Sequence, residues 1–474
     1  MKKFNKIFAA TLLAVLGIGC SDFGDTNVSP NAAETPLTSA LLTNALTTLG
    51  GTTAFTTAGL YCQYFSETQY TDVSRYSLQN ISWSGDMAGS MYDLQNIINI
   101  NSNPETAEYA AFNGSNNNQI AVARILKAYR FSLLTDRYGD MPYSQALTGE
   151  SQPVFDTQQD IYNGLFTELS EAVNQFDNGA PAKGDILFDG DIARWKKFAN
   201  SFRLILALRL SKIDAAKGEQ EFNDALSADG GVFESNDDNA SITYPGGAYK
   251  NPWYGIGGDF GVSETIAAYL NANSDNRLNA FGNPANGVLV GVPYGLQRND
   301  AIEFTGSNPD WSLILNDTYR QATSSLNVLS YADVLLARSE AAFLGWTSDD
   351  YAQLYQDGIQ ASWEAWGVFE QEAFDAYMQK PAIALAPGIE AELIGTQRWL
   401  AFFPNGMQGW SEWRRTGYPV LAPSPAPVNT SGDIPRRFPY YSAEYNLNGV
   451  NLQAAVDRIS GGDTMDGRVW WDVE

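Results

Sequence analysis

The 474-residue sequence contains no histidine. This absence excludes Ser-His-Asp and Cys-His catalytic machinery, and it excludes zinc or iron sites that use histidine ligands. Only two cysteines occur, Cys20 and Cys62, so no framework of several disulfides can form. Residues 234–239 offer oxygen ligands for calcium, but they lack the spacing of an EF-hand loop and are more typical of a turn or a helix cap. We therefore expect neither a metal nor a cofactor.

Basic residues are also scarce. The chain has 29 Lys and Arg against 54 Asp and Glu, which gives a net charge of −25. A strongly acidic protein repels phosphate backbones, so no nucleic acid partner is expected. Aromatic residues, in contrast, make up 13% of the sequence. This is more than a hydrophobic core requires, and it favours surfaces that bind ligands by stacking.

Outside the N-terminus, no run approaches the roughly 18 apolar residues of a transmembrane helix. The N-terminus itself has a lysine-rich start, a short apolar run at residues 7–18 and then Cys20. An apolar run of this length is too short to span a bilayer and is typical of a signal peptide, predicted here as residues 1–19. Residues 20–36 are polar and contain two prolines, which predicts a flexible tether.

The sequence Gly17-Ile18-Gly19-Cys20 resembles the lipobox of bacterial lipoproteins, in which the cysteine is acylated and becomes the new N-terminus. Asp22 and Asp25 resemble the acidic signal that directs such lipoproteins to the cell surface. The resemblance implies a protein that is anchored by lipid to the outer membrane and faces the cell exterior. Gly17 stands where leucine is usual, so an ordinary secretory signal, with Cys20 lost on cleavage, is the alternative.

The stretch from Trp195 to Lys212 contains neither glycine nor proline, and Asp189 or Asp191 can cap its start. Its large apolar residues recur at three- and four-residue spacing, which predicts one buried helix face. Arg203 and Arg209 interrupt this apolar surface. Because an unpaired buried guanidinium is costly, we expect both to form ion pairs with neighbouring helices.

Other segments have the same helical spacing and predict an all-α fold built from helix pairs. The predicted helices are 37–49, 54–69, 83–101, 119–138, 161–176, 331–346, 351–366 and 391–403. Residues 230–327 differ, being rich in glycine, asparagine, proline and aromatics, which predicts a loop-rich insert. We therefore expect one domain over 37–474, with a scaffold at 37–229 and 328–420, the insert, and a closing segment at 421–474.

Several motifs, in a fixed order, resemble the SusD/RagB family of outer-membrane nutrient-binding lipoproteins, and the last two fit its SusD-like branch. They are Thr135-Asp-Arg-Tyr-Gly-Asp-Met-Pro-Tyr143, Trp195-Lys-Lys-Phe-Ala-Asn-Ser-Phe-Arg203, residues 330–340, residues 410–419, Ile434-Pro-Arg-Arg-Phe-Pro439 and Trp470-Trp471-Asp472. The resemblance implies tetratricopeptide-like helix pairs that support a less regular ligand-binding lobe. It also implies a SusC-like TonB-dependent porin as partner, and a binding protein for oligosaccharides or peptides with no catalytic residues.

Binding aromatics in that family lie in loops, and the insert offers four candidates: Trp253, Tyr254, Tyr294 and Trp311. Each is close to glycine, proline or asparagine, where a ring is not easily buried in a helix face. A sugar ring presents C–H groups that stack on Trp or Tyr, while Asn and Asp bind its hydroxyls. A second candidate cluster is Tyr70, Tyr76 and Trp83.

Two further functions stay open at this stage. A glycoside hydrolase needs two carboxylates facing each other across a cleft, and no motif singles out such a pair among the 54 acids. A helical-repeat scaffold for protein partners would have the same helices but no need of the signal peptide or of the aromatic loops.

Overall fold

Helices make up most of the regular structure in the computed structural model, which describes residues 36–473. The signal peptide, Cys20 and all but the last residue of the expected tether lie outside these described residues. The α-helices are α1 Thr38–Thr47, α2 Gly50–Thr53, α3 Thr56–Tyr61, α4 Ser84–Asp86, α5 Tyr92–Ser102, α6 Ala107–Ala110, α7 Asn116–Tyr138, α8 Gln158–Gln175, α9 Ile192–Arg209, α10 Ala215–Ser227, α11 Pro252–Gly255, α12 Glu264–Asn273, α13 Leu278–Phe281, α14 Arg298–Ser307, α15 Tyr331–Phe343, α16 Tyr351–Ala365, α17 Gln371–Met378, α18 Glu390–Ala401, α19 Gly406–Thr416, α20 Glu444–Leu447 and α21 Gly449–Val456.

Four short strands complete the regular structure of residues 36–473. They are β1 Phe65–Glu67, β2 Ala240–Ile242, β3 Phe260–Val262 and β4 Leu326–Leu329. β1 pairs with β3, and β2 pairs with β4, both antiparallel. The predicted all-α class is confirmed, since the strands only join loops to the helical scaffold.

Helix α9 covers most of the helix predicted from Trp195 to Lys212. The Asp191 carboxylate caps its start, accepting from the backbone N–H groups of Ala193 at 2.9 Å and Arg194 at 3.2 Å. From Phe198 onward every side chain is buried, because other helices enclose this one. Arg203 forms the predicted ion pair, its Nε donating to Glu221 of α10 at 2.8 Å.

Successive long helices pack against each other in pairs. The pairs are α7 with α8, α9 with α10, α15 with α16, and α18 with α19. The helix pairs agree with the spacing of the apolar residues, and their tetratricopeptide-like arrangement is the one that the family resemblance implies. Each helix buries one face against its partner, and the core lies between the pairs.

The predicted helix 54–69 is wrong in its second half. α3 ends at Tyr61, and Gln63 adopts a left-handed φ of 58° that turns the chain into β1. The Tyr64 N–H then closes the helix by donating to the Gly59 carbonyl at 2.8 Å. The partner of β1 is β3, about 200 residues along the chain, so local periodicity could not reveal this strand.

The predicted helix 83–101 is interrupted near its start. A π-helical turn spans Met87–Met91, where Gly89 has a non-helical ψ of −118°. Glycine tolerates this conformation because it carries no Cβ. Residues after the turn continue as α5, which packs against α1 and α7.

A glycine permits close packing between α3 and α19. A Cβ added to Gly406 would lie 2.3 Å from the backbone nitrogen of Gly59. No side chain fits at that distance, so the two helices meet backbone to backbone. The Cys62 thiol, which follows α3, is fully buried against this contact, as expected for a small core residue.

A buried ion network joins four helices at the centre of the scaffold. Glu412 of α19 accepts from Arg209 of α9 at 2.9 Å and from Arg398 of α18 at 2.8 Å. Arg415 donates to Glu412 at 2.5 Å and to Glu340 of α15 at 2.6 Å. Burial alone would raise the pKa of Glu412, but the guanidinium groups of Arg398 and Arg415 hold that pKa well below its usual range.

The closing segment is held on the same helices. The indole N–H of Trp410 donates to the Pro435 carbonyl at 2.9 Å, and that of Trp471 donates to Asp136 at 2.8 Å. Arg436 donates from its Nε to Asp472 at 2.7 Å. The C-terminal motifs therefore have a structural role, because they attach the last residues to α7 and α19.

Replacing Glu412 by glutamine should strongly destabilise the fold. The change removes the charge that Arg209, Arg398 and Arg415 share, leaving Glu340 as the charged partner of the last two, and breaking a buried ion pair costs about 3–5 kcal/mol. Urea denaturation should show a lower midpoint at an unchanged slope. Glu392→Gln, an exposed change on α18, is the matched control and should stay within about 0.5 kcal/mol of the wild type. Equal midpoints for the two variants would contradict this role of the network.

Candidate functional site

The structure divides the seven candidate aromatics into buried and accessible rings. Four lie in the core, namely Trp253, Tyr294, Tyr76 and Trp83. The expectation that their loop context keeps Trp253 and Tyr294 out of the packed core is therefore wrong, and Tyr76 and Trp83 of the second cluster are buried as well. Tyr70 and Tyr254 are 55% and 50% exposed, and Trp311 is partly buried.

Trp253 is fully buried because hydrogen bonds of the Asn251 side chain hold its turn in place. The Asn251 side chain caps α11, accepting from the Trp253 N–H at 2.9 Å and donating to the carbonyls of Tyr319 and Ser324. The indole then packs edge-to-face on Phe65 of β1, with ring centroids 5.3 Å apart. Two successive residues on a helix point about 100° apart, so only one of the pair Trp253 and Tyr254 could face the core.

The other three buried rings close the structure around the C-terminal segment. The Tyr76 hydroxyl accepts from the Ser424 N–H at 2.8 Å, and burial raises the pKa of Tyr76 to about 12. Burial also raises the pKa of Tyr294 well above its ordinary value. Trp83 packs edge-to-face on Tyr138, at a centroid distance of 5.0 Å. None of these three rings presents a free face to a ligand.

Two of the accessible rings, Tyr70 and Trp311, lie on segments attached to the same end of the β1–β3 pair. Just past β1, Thr68 is bound to the segment before β3: its N–H donates to Asp259 at 3.0 Å and its hydroxyl to Gly258 at 2.6 Å. Tyr70 follows two residues later. On the other side, the Trp311 ring lies along β3, 3.9 Å from the Cβ position of Gly258 and 3.1 Å from that of Gly261.

Polar and basic groups lie beside Tyr70. Gln69 donates to the Asp259 carboxylate at 2.6 Å, beside Tyr70. Arg298, the first residue of α14, places its guanidinium 5.0 Å from the centroid of the Tyr70 ring. We call Gln69, Tyr70, Asp259, Arg298 and Trp311 the aromatic surface.

Tyr254 lies near the aromatic surface along the chain. It precedes Gly258 by four residues, so their Cα atoms are at most about 14 Å apart. The Lys250 ammonium lies 5.0 Å from the centroid of its ring. A basic side chain thus lies over one face of each strongly exposed ring, Tyr70 and Tyr254. Such a cation–π contact contributes about 0.5–1 kcal/mol at an exposed site.

The aromatic surface has the chemistry of a stacking site for neutral polar rings. Trp311 and Tyr70 offer ring faces to C–H groups, and Gln69 and Asp259 offer amide and carboxylate groups to hydroxyls. In the described part of the chain, no group of three or more Cys, Asp and Glu residues could hold a metal ion. At residues 234–239, Lys197 takes the place of a cation, donating to Glu234 at 2.6 Å and to Asp238 at 2.9 Å.

Two buried acids, Glu67 and Asp333, have a raised pKa. Burial raises the pKa of both Glu67 and Asp333 to about 7, against the effect of a serine that donates to each. Asp333 belongs to the capping box at the start of α15, with Ser330, and its other large influences are Arg398 and Glu412. Glu67 lies at the end of β1, bonded to Ser74. The two acids bond to different serines on different elements, which is not the facing pair that glycoside hydrolysis requires.

The sequence alone did not single out the basic residues of this region, Lys250 and Arg298. Its pattern also put Tyr70 in a separate cluster from Trp311. Lys250 could have been noticed, because lysine is scarce in this chain and Tyr254 follows four residues later. Arg298 gave no such signal, since 228 residues separate it from Tyr70, as their numbers show. Only the β1–β3 pairing brings these parts of the chain together.

No helix among residues 36–473 combines the length and apolar character needed to cross a bilayer. The profile of a SusD-like family, described as starch-binding and associating with the outer membrane, matches residues 30–441 of this chain. A search of the curated proteins gave no match.

Solved structures resemble this chain over nearly its whole length. A chitin-binding protein is 31% identical, with 92% of this chain and 100% of that chain covered and a TM-score of 0.80. A SusD homolog from Bacteroides uniformis is 26% identical, with 92% and 99% covered and a TM-score of 0.81. A chitin-binding SusD homolog from Flavobacterium johnsoniae is 24% identical, with 92% and 97% covered and a TM-score of 0.74, and supports the fold alone.

Adjacent aromatic residues on α11 should respond in opposite ways to truncation. Trp253→Ala removes a fully buried indole and should lower the free energy of unfolding by about 3–5 kcal/mol. Tyr254→Ala removes a half-exposed ring and should change it by less than about 0.5 kcal/mol. Thermal and urea melts of the two variants decide the point. A stable Trp253→Ala protein would place that indole outside the core.

Proposed function

Because this chain belongs to the SusD-like family of starch-binding proteins that associate with the outer membrane, we propose that it binds oligosaccharides at the cell surface through its aromatic surface. The observation that carries the proposal is that the segments of Tyr70 and Trp311 are both attached to one end of the β1–β3 pair. Rings from two distant parts of the chain are accessible there, next to polar groups that suit hydroxyls.

An oligosaccharide suits this surface better than a charged ligand does. The whole chain carries a net charge of −25, which disfavours polyanions. The polar groups beside Tyr70 are an amide, a carboxylate and the Arg298 guanidinium, all of which bind hydroxyls. The similarity to a structure described as a chitin-binding protein agrees with a glycan ligand. A peptide ligand remains the alternative, and direct comparison of the two ligand classes decides between them.

We further propose that the protein is anchored through lipid on Cys20 and passes its ligand to a SusC-like TonB-dependent porin. The leader sequence and the family resemblance support these steps. In this scheme the protein binds its ligand and passes it on, and no group of the aromatic surface has a catalytic role. Binding without turnover is the corresponding expectation for purified protein.

Removing both rings of the aromatic surface should weaken glycan binding. A stacked ring contributes about 0.5–1.5 kcal/mol beyond the area that it buries, so Tyr70→Ala with Trp311→Ala should raise the Kd about tenfold or more. Isothermal titration calorimetry with chitohexaose and with maltohexaose measures this change. Tyr92→Ala, an exposed tyrosine at the start of α5, is the matched control and should bind normally. Unchanged binding by a folded double variant would place the site elsewhere.

Cys20→Ser should release the protein from the outer membrane fraction, because the acylated thiol would be lost. Fractionation and surface labelling of cells measure the change. Cys62→Ser is the control: that thiol is buried in the core, so its loss should leave the protein membrane-bound. A Cys20→Ser protein that stays on the cell surface would refute the lipid anchor.

A further inference from the structure

A buried carboxyl group lies directly beneath the loop that carries Tyr70. Glu67, the last residue of β1, is only 6% exposed. Its Oε2 accepts from both the N–H and the hydroxyl of Ser74, each at 2.8 Å. These two hydrogen bonds span the loop from one side to the other. We call residues 68–77 the Tyr70 loop.

Other contacts hold the two ends of the Tyr70 loop, including the buried Tyr76, whose hydroxyl accepts from the Ser424 N–H. On the side of β3, Thr68 and Gln69 bond to Gly258 and Asp259. On the far side, Val428 donates its N–H to the Arg75 carbonyl at 2.7 Å. Between these points Ser74 bonds to Glu67 and, at 3.2 Å, to the Thr71 carbonyl; the bonds to Glu67 connect the two sides of the loop beneath Tyr70.

The surroundings of Glu67 disfavour its ionised form. Burial is the largest influence and raises the pKa of Glu67 to about 7, although the two donors of Ser74 act in the opposite direction. Asp72, on the same loop, adds a negative charge. Tyr61 of α3 and Tyr294 of the insert are further titratable groups that interact with Glu67.

Neighbouring charged groups of the loop are engaged elsewhere. The Arg75 guanidinium donates to the Ala426 carbonyl at 2.7 Å, and Asp259 accepts from Gln69. Ionised Glu67 would thus be a desolvated charge close to Asp72, Tyr61 and Tyr294. Exposing it to water relieves this unfavourable state, and opening of the Tyr70 loop is the local movement that does so.

We propose that Glu67 is a positioning residue for ligand binding: as a neutral acid bonded to Ser74 it holds the Tyr70 loop closed, and its ionisation favours opening of the loop. The inference rests on the proposed function, since it assumes that Tyr70 contacts the ligand. Glycan affinity should therefore fall as the pH rises through neutrality.

The direction follows from linkage. A carboxyl with a higher pKa in the closed loop than in the open, solvated loop binds more protons when the loop is closed, so raising the pH favours opening. The open form has the ordinary carboxyl pKa, near 4.5, and the closed form has a pKa of about 7. Between pH 6 and pH 8, the ratio of open to closed loop then rises by up to about tenfold.

Binding measurements at several pH values test the inference. We expect the Kd of the wild type for chitohexaose or maltohexaose to rise by up to about tenfold from pH 6 to pH 8. Glu67→Gln, a neutral isostere, should keep the low-pH affinity throughout. Glu264→Gln, an exposed change at the start of α12, should keep the wild-type pH dependence. A flat wild-type profile, or the same dependence in Glu67→Gln, would overturn the inference.

A second measurement needs no ligand. A nitroxide label on Tyr70→Cys, in a protein that also carries Cys20→Ser, reports the motion of the loop, because the buried Cys62 is protected from labelling. Electron paramagnetic resonance should show a more mobile label at pH 8 than at pH 6. Adding Glu67→Gln should give low mobility at both pH values, and adding Ser74→Ala should give high mobility at both.

The two measurements separate the inference from the proposed function. If neither sugar binds but the label becomes mobile as the pH rises, the loop mechanism holds and the glycan proposal fails. If a sugar binds and the label has the same mobility at both pH values, the glycan proposal holds and the role of Glu67 is refuted. A label that becomes equally mobile in Glu67→Gln refutes the role of Glu67 as well.

Discussion

The fold depends on one buried carboxylate. Glu412 of α19 accepts hydrogen bonds from guanidinium groups on α9, α18 and α19, and Arg415 extends the network to Glu340 on α15. Taking these charges out of water is costly, and the cost is offset only when every partner is in place. The network therefore fixes how the helix pairs are arranged relative to one another, which hydrophobic burial alone would specify less strictly. Asp136 and Trp471 lie beside it and attach the C-terminal segment to the same centre.

The rigidity of this scaffold matters for the candidate site, which lies where scaffold and insert meet. β1 follows directly on α3, and α3 packs against α19 at the contact between Gly59 and Gly406. β3 belongs to the insert, and its pairing with β1 fixes the neighbouring loops relative to the scaffold. Tyr70 and Trp311 thus obtain a defined relative position from short strands rather than from their own loops. Such a division allows the loops to vary while the helices stay unchanged.

The aromatic surface is suited to recognition rather than to chemistry. Its rings are accessible and its polar groups are those that bind hydroxyls, whereas Glu67 and Asp333, the acids whose pKa is raised to about 7, are buried and bonded to serines. Glu67 connects these two aspects, because a buried acid lies under the loop that presents Tyr70. Affinity in such a site is set partly by how firmly the loop is held before the ligand arrives, since ordering it later lowers the binding free energy.

The sequence by itself determined the helical class, the enclosed helix around Trp195 to Arg209, the ion pairs of its arginines and the family resemblance, because these depend on local spacing and on the cost of burying charge. It also indicated that the insert carries the accessible rings Tyr254 and Trp311. Only the tertiary structure decided which aromatics are accessible. Trp253 and Tyr254 are adjacent and chemically similar, and the anchoring of Asn251 to residues 319–324 turns the first ring inward. Pairing between segments about 200 residues apart determines three other features: the strand at Phe65–Glu67, the approach of Arg298 to Tyr70 and the burial of Glu67. No local pattern encodes such contacts.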